Sequence, residues 1–210
     1  MDFATTLPLF LTAYAILLVG ALSPGPAVAL LLGIATRQGR RAALVTTTGI
    51  ALGSSTINLL TIVGVGLLLS QAAWAMMGLK LVGTIYLIWL AWGSFNKALR
   101  PPAVKVADGP RASTARLFLT GYLLQVTNPK AIAFWLAIAA VGATTNASAA
   151  VIATFVLGGF LISFVCHGAW SVLLSTQTVR SAYHSARRWV EGALGVLFTA
   201  FAFKLATSER

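Results

Sequence analysis

Leu22-Ser23-Pro24-Gly25-Pro26 and Thr127-Asn128-Pro129-Lys130 are the two stretches on which the reading of this chain turns. Each lies inside an apolar run long enough to cross a bilayer as a helix. Pro24, Pro26 and Pro129 lack the N–H that would bond the carbonyls of Gly20, Leu22 and Gln125, so regular helix is interrupted at both places. At membrane depth such breaks are tolerated only where the freed backbone faces protein or a polar cavity. Two breaks at corresponding places in two halves of a chain point to a transport site.

Composition places the chain in the same class. Of its 210 residues 58% are hydrophobic and 9% charged, against about 25% charged in soluble domains. At about 20 residues per crossing there is room for roughly six helices and no further soluble domain. A single domain over residues 1–210 is expected. The formal net charge of +11 would point to nucleic acid in a soluble protein. Here the basic residues cluster between apolar runs, which is how membrane orientation is fixed, and a nucleic-acid partner is not expected. The lone Cys166 rules out an internal disulfide and any paired-cysteine metal or redox site. The first apolar run is too long for a cleaved leader and lacks a basic start, so it reads as a retained span.

The apolar segments run Phe3–Ala35, Ala42–Leu69, Ala73–Phe95, Leu117–Gly142, Ala149–Leu174 and Trp189–Ala206. Arg37, Arg40 and Arg41 separate the first pair. Lys97, Arg100, Lys105, Arg111 and Arg116 separate the third from the fourth, and Arg180, Arg187 and Arg188 the fifth from the sixth. The connections near Ser70–Gln71 and Thr144–Ser148 carry no charge. Basic loops stay in the cytoplasm, so both termini are expected outside. Pro101, Pro102, Gly109 and Pro110 give the central loop turn composition and divide the chain into halves of about 1–98 and 115–210. Phe10-Leu11-Thr12 with Tyr14, and Phe118-Leu119-Thr120 with Tyr122, precede the two proline motifs. Halves with three spans each would be inverted repeats. The expected fold is therefore an all-α membrane protein of six helices, the first and fourth broken. Gly49 with Gly53, and Gly192 with Gly195, are small-residue pairs suited to close helix contacts.

Lys130 is the most informative charge. It lies roughly 20 Å along the helix from either end of its span, at about 1.5 Å per residue. Inserting it there costs about 2.5–3.5 kcal/mol. It is either a snorkelling lysine or a cation facing a polar cavity where an anionic substrate group arrives. The candidate transport path comprises Ser23, Pro24, Gly25, Pro26, Gln125, Asn128, Pro129 and Lys130, with Asn58 and His167 as further options. Asn58 reads equally well as helix glue, and His167 either titrates or simply bonds between helices. No carboxylate is expected well inside a span, and Glu191 is read as pairing with Arg187 or Arg188 near the cytoplasmic end of the last one. A His-Glu-x-x-His motif, an intramembrane aspartate pair and a glycine-rich phosphate loop are all missing, which argues against an enzyme. No cofactor or metal is expected.

At these residues the chain resembles the LysE/RhtB family of bacterial amino-acid exporters. The likeness extends to Gly83-Thr84-Ile85-Tyr86-Leu87-Ile88-Trp89-Leu90-Ala91 and Gly192-Ala193-Leu194-Gly195-Val196-Leu197-Phe198. It implies a six-segment carrier that exports an amino acid or close derivative, driven by protons. Its implied partners are a small zwitterionic metabolite, the lipid bilayer and protons, with homo-oligomers left open. Many members carry an acidic residue in the fifth span, whereas Phe160 to Gly168 offers His167 instead. The alternative reading is a membrane scaffold or assembly factor whose kinks are purely structural.

Overall fold

The computed structural model describes residues 3–71, 73–100, 111–145 and 147–207. Among these residues the chain forms helices and no strand: α1 (Phe3–Leu22), α2 (Pro26–Gln71), α3 (Ala73–Leu99), α4 (Thr114–Val126), α5 (Pro129–Ala139), α6 (Ala149–Leu173) and α7 (Gln177–Thr207). Both expected breaks are present, between α1 and α2 and between α4 and α5. At the second, Asn128 caps α5 by accepting the Lys130 N–H at 3.1 Å, and Pro129 takes the first helical position, where no N–H is needed.

The expected break between the first two apolar runs is present: α2 is two helices joined at Gly39, with Arg37, Arg40 and Arg41 on either side of the kink. With φ 82° and ψ −177°, that bend needs a residue without a Cβ. The third basic stretch differs from the sequence reading: Arg180, Arg187 and Arg188 lie on α7, which begins at Gln177 and not near Trp189, because arginine is a good helix former. The turn expected over Pro101, Pro102, Gly109 and Pro110 lies outside the described residues.

Two segments, Pro26–Gly64 and Ala149–Leu173, are long and apolar enough to cross a membrane unaided. The faces of α6 show how such a helix is used. Phe155, Gly159, Ser163, His167 and Ser171 recur every fourth residue and are buried, while Leu157, Leu161 and Val165 recur on the outside and are exposed. A soluble helix would place these the other way round. In α2 the pattern repeats, with Thr47, Ser54, Asn58 and Thr61 inside and Leu52, Leu59, Leu60 and Val63 outside.

Packing follows from small residues. α2 lies against α4 and α6, α1 against α6 and α5, and α3 against α7. Gly49 and Gly53 bring α2 onto the backbone of α4, where a Cβ on Gly53 would sit 2.9 Å from the Tyr122 carbonyl oxygen. Gly121 returns the approach from α4 against Thr46. On the other side, a Cβ on Gly195 would meet the Phe95 ring at 2.6 Å, so this glycine sets the α3–α7 distance. Gly53→Leu should therefore separate α2 from α4 and destabilise the protein by about 1–3 kcal/mol, as overpacking does. Gly33→Ala, where a Cβ meets nothing within 4 Å, should be neutral. Thermal unfolding in detergent, followed by size-exclusion profile, checks both, and equal melting points would refute this account of the contact.

Candidate functional site

The break after α1 and the start of α5 meet each other. Lys130, the second residue of α5, donates from Nζ to the Ser23 carbonyl at 2.8 Å, to Ser23 Oγ, and more weakly to the Pro24 carbonyl at 3.4 Å. These acceptors stand at the C-terminal end of α1, where unpaired carbonyls and the helix dipole favour a cation. The ammonium also lies 6.0 Å from the centre of the Phe134 ring. Lys130 is thus partly buried on protein acceptors, not snorkelling to an interface.

Two of the carbonyls left without helical partners by the prolines find local ones. Ser23 Oγ donates to the Gly20 carbonyl at 2.9 Å, and the Asn128 N–H reaches the Gln125 carbonyl at 3.1 Å. The Lys130 ammonium takes the carbonyls of Ser23 and Pro24 instead.

Lys130 faces a cavity of about 40 Å³ together with Ser23, Gly25, Gln125, Asn128, Ser163 and His167. Trp135 closes one side, its indole Nε1 donating to Ser54 Oγ at 3.0 Å. His167 Nδ1 lies 2.8 Å from the Ser163 carbonyl. A carbonyl only accepts, so Nδ1 carries the proton and Nε2 is the acceptor of the neutral ring. Gln125 Oε1 is buried without a hydrogen-bond partner. The cavity therefore sets one cation opposite a set of neutral acceptors.

The other candidates fall elsewhere. Pro24 and Pro26 line a second cavity toward α3 and α7, and Pro129 shapes the start of α5 without lining the first one. Asn58 lies behind Trp135 in a separate void of about 10 Å³, its Nδ2 unpartnered. Sequence reading missed Ser54, Ser163, Phe134 and Trp135. The fourfold spacing on α6 carried the signal for Ser163. Glu191 is 1% exposed and opens toward Pro24–Pro26, in a cavity that Lys97 from α3 and Arg187 from its own helix also line. Arg188 is exposed on α7.

The family model described as LysE type translocator matches residues 18–209. The chain belongs to that family. It is a membrane transporter and not an enzyme. The chain is 28% identical over 210 residues to the threonine efflux protein of Escherichia coli K12, covering 97% of this chain and all of that one. It is 27% identical over 206 residues to the leucine efflux protein of Klebsiella pneumoniae, covering 93% and 95%. A protein of Pseudomonas aeruginosa named only as an uncharacterized membrane protein is 29% identical over 194 residues, covering 89% of each. No solved structure matches the chain.

If the Lys130 cavity holds water, cysteine in place of Gln125 or Ser163 should react with a small charged thiol reagent in a Cys166→Ser background. Leu161→Cys, on the exposed apolar face of α6, should react at least tenfold more slowly. Equal rates at all three positions would mean that the cavity is dry.

Proposed function

We propose that this translocator exports a small zwitterionic amino acid, or a close derivative, from the cytoplasm of a bacterial cell. The observation that carries the reading is the juxtaposition of the Lys130 ammonium with the unpartnered Gln125 Oε1 across one cavity. A carboxylate displaces the weaker carbonyl contacts of Lys130, because a charge-assisted bond to an anion is stronger than one to a neutral oxygen. The substrate ammonium finds acceptors in Gln125 Oε1, His167 Nε2 and Ser163 Oγ. The threonine and leucine named for the relatives carry these two groups in common.

The proposed path uses Ser23, Gly25, Gln125, Asn128 and Lys130 at the centre, with Pro24, Pro26 and Pro129 keeping the helices open. A volume of about 40 Å³ is far below the roughly 300–1,000 Å³ of ligand pockets, so this is a contracted state that must widen around its cargo. Phe134 separates the cavity from an apolar void of about 440 Å³ bounded by α1, α3 and α5, which serves as the outward route. Coupling to protons falls to His167, the titratable cavity member besides Lys130. Whether copies of the chain associate does not alter this path.

Inverted repeats fit the packing. Exchanging α1 with α4, the length of α2 after Gly39 with α6, and α3 with α7 turns the α1–α6 contact into the α2–α4 contact and leaves α3–α7 unchanged. The matched tyrosines behave alike: Tyr14 OH donates to the Phe155 carbonyl of α6 at 3.0 Å, and Tyr122 OH lies 3.4 Å from Thr56 Oγ1 of α2. On this reading the chain is one domain in the inner membrane, its basic stretches cytoplasmic and its termini outside. Membrane-impermeant labelling of intact cells should then modify Thr145→Cys and spare Ala115→Cys; the opposite pattern overturns the orientation.

Lys130→Met should lower efflux from amino-acid-loaded cells at least tenfold while insertion and expression stay normal. Lys130→Arg should also fail or change cargo, since a planar fork cannot replace a compact ammonium. Export by Lys130→Met at the wild-type rate would remove the lysine from the mechanism.

A further inference from the structure

The second cavity, of about 200 Å³, lies between the α1–α2 break and the helices α3 and α7, and is lined by Pro24, Gly25, Lys97, Tyr183, Arg187 and Glu191. Its volume is about five times that of the Lys130 cavity. The two cavities share Gly25 and Val28 as a common wall. That wall is thin. A Cβ on Gly25 would lie 3.1 Å from Lys130 Nζ and 3.2 Å from its Cδ, so a side chain there would press on the lysine.

Glu191 gives this cavity its chemistry. It is almost fully buried, and its Oε2 has no hydrogen-bond partner. A buried carboxylate oxygen without a donor is costly, and the cavity beside it can admit one. Lys97 from α3 and Arg187, one helical turn before Glu191 on α7, line the same cavity, and Lys130 lies across the wall from α5. The cavity therefore offers cations to an anionic group beside the unpartnered carboxylate oxygen. A molecule carrying both an ammonium and a carboxylate answers both demands, which neither a simple cation nor a simple anion does.

We infer that this cavity is the cytoplasmic loading site for the exported zwitterion. The substrate ammonium docks on Glu191 Oε2 and its carboxylate is held by Lys97 and Arg187. The carboxylate then passes the Gly25 wall to Lys130. The inference rests on the exporter reading and adds a second, earlier substrate site to it. Lys97 and Glu191, on the two helices that pack together through Gly195, become binding residues rather than markers of orientation.

Uptake of radiolabelled leucine or threonine into everted membrane vesicles, whose outer face is cytoplasmic, tests this. Glu191→Gln should raise the KM at least tenfold while the maximal rate falls less than threefold. Lys97→Gln, at a partly exposed position, should raise it at least fivefold. The wild type should be inhibited by 2-hydroxyisocaproate, which is leucine with hydroxyl in place of ammonium, at least tenfold more weakly than by unlabelled leucine. Glu191→Gln should lose that discrimination and Glu191→Asp should keep part of it, a pattern that a purely structural carboxylate would not produce. If Glu191→Gln fails to accumulate in the membrane, the Lys97→Gln KM and the Glu191→Asp discrimination decide. Active wild-type vesicles with unchanged KM and unchanged discrimination in the variants overturn the loading site alone. Wild-type vesicles that take up no amino acid overturn the exporter reading, and the loading site with it.

Discussion

The ammonium of Lys130, resting on the carbonyls of Ser23 and Pro24, is the contact around which the rest of this protein is arranged. It joins the end of one broken helix to the beginning of another, and so ties together segments more than a hundred residues apart in sequence. Neither partner would be stable alone at that depth. A lone lysine would need water, and the carbonyls of Ser23 and Pro24 inside the break would need donors. Together they satisfy each other through bonds between a charge and neutral acceptors.

Everything that surrounds this contact serves to keep lipid out and let polar groups in. Polar side chains on α2 and α6 face inward at helical spacing, and leucines and valines cover the outside. Because lipid supplies no hydrophobic drive between helices, the framework is closed by backbone contact at glycines. Gly49, Gly53 and Gly121 set α2 on α4, while Gly195 sets α7 on α3. Outside its contact with α7, α3 meets α5 and α2 only lightly, and voids of about 440 and 200 Å³ open along that seam. A carrier must change shape around its cargo, and the seam is where the least packing would be lost in doing so.

Sequence alone determined that this is a membrane protein, that two of its helices are broken, and where. Those conclusions depend on local facts: apolar length, and the missing N–H of Pro24, Pro26 and Pro129. The inward stripe of α6, with Ser163 and His167 four residues apart, was equally open to reading, since helical spacing is fixed by the backbone. Helix ends were not. The charge at Arg37 to Arg41 does fall on a break, at Gly39, but Arg180 to Arg188 read as a loop and are helical, because arginine is a good helix former.

Only the tertiary structure decided which polar groups meet. Along the chain Asn58 looks as central as Gln125, but Trp135 walls it off, and Gln125 is the one that shares a cavity with Lys130. Glu191 reads as the partner of a neighbouring arginine, yet α3 brings Lys97 to it and the α1–α2 break lies opposite. The reason is that a side chain's direction is set by its own helix, whereas what it faces is set by how glycines let other helices approach. That approach is a long-range property, and it leaves its trace in the sequence only as a few small residues whose partners are unnamed.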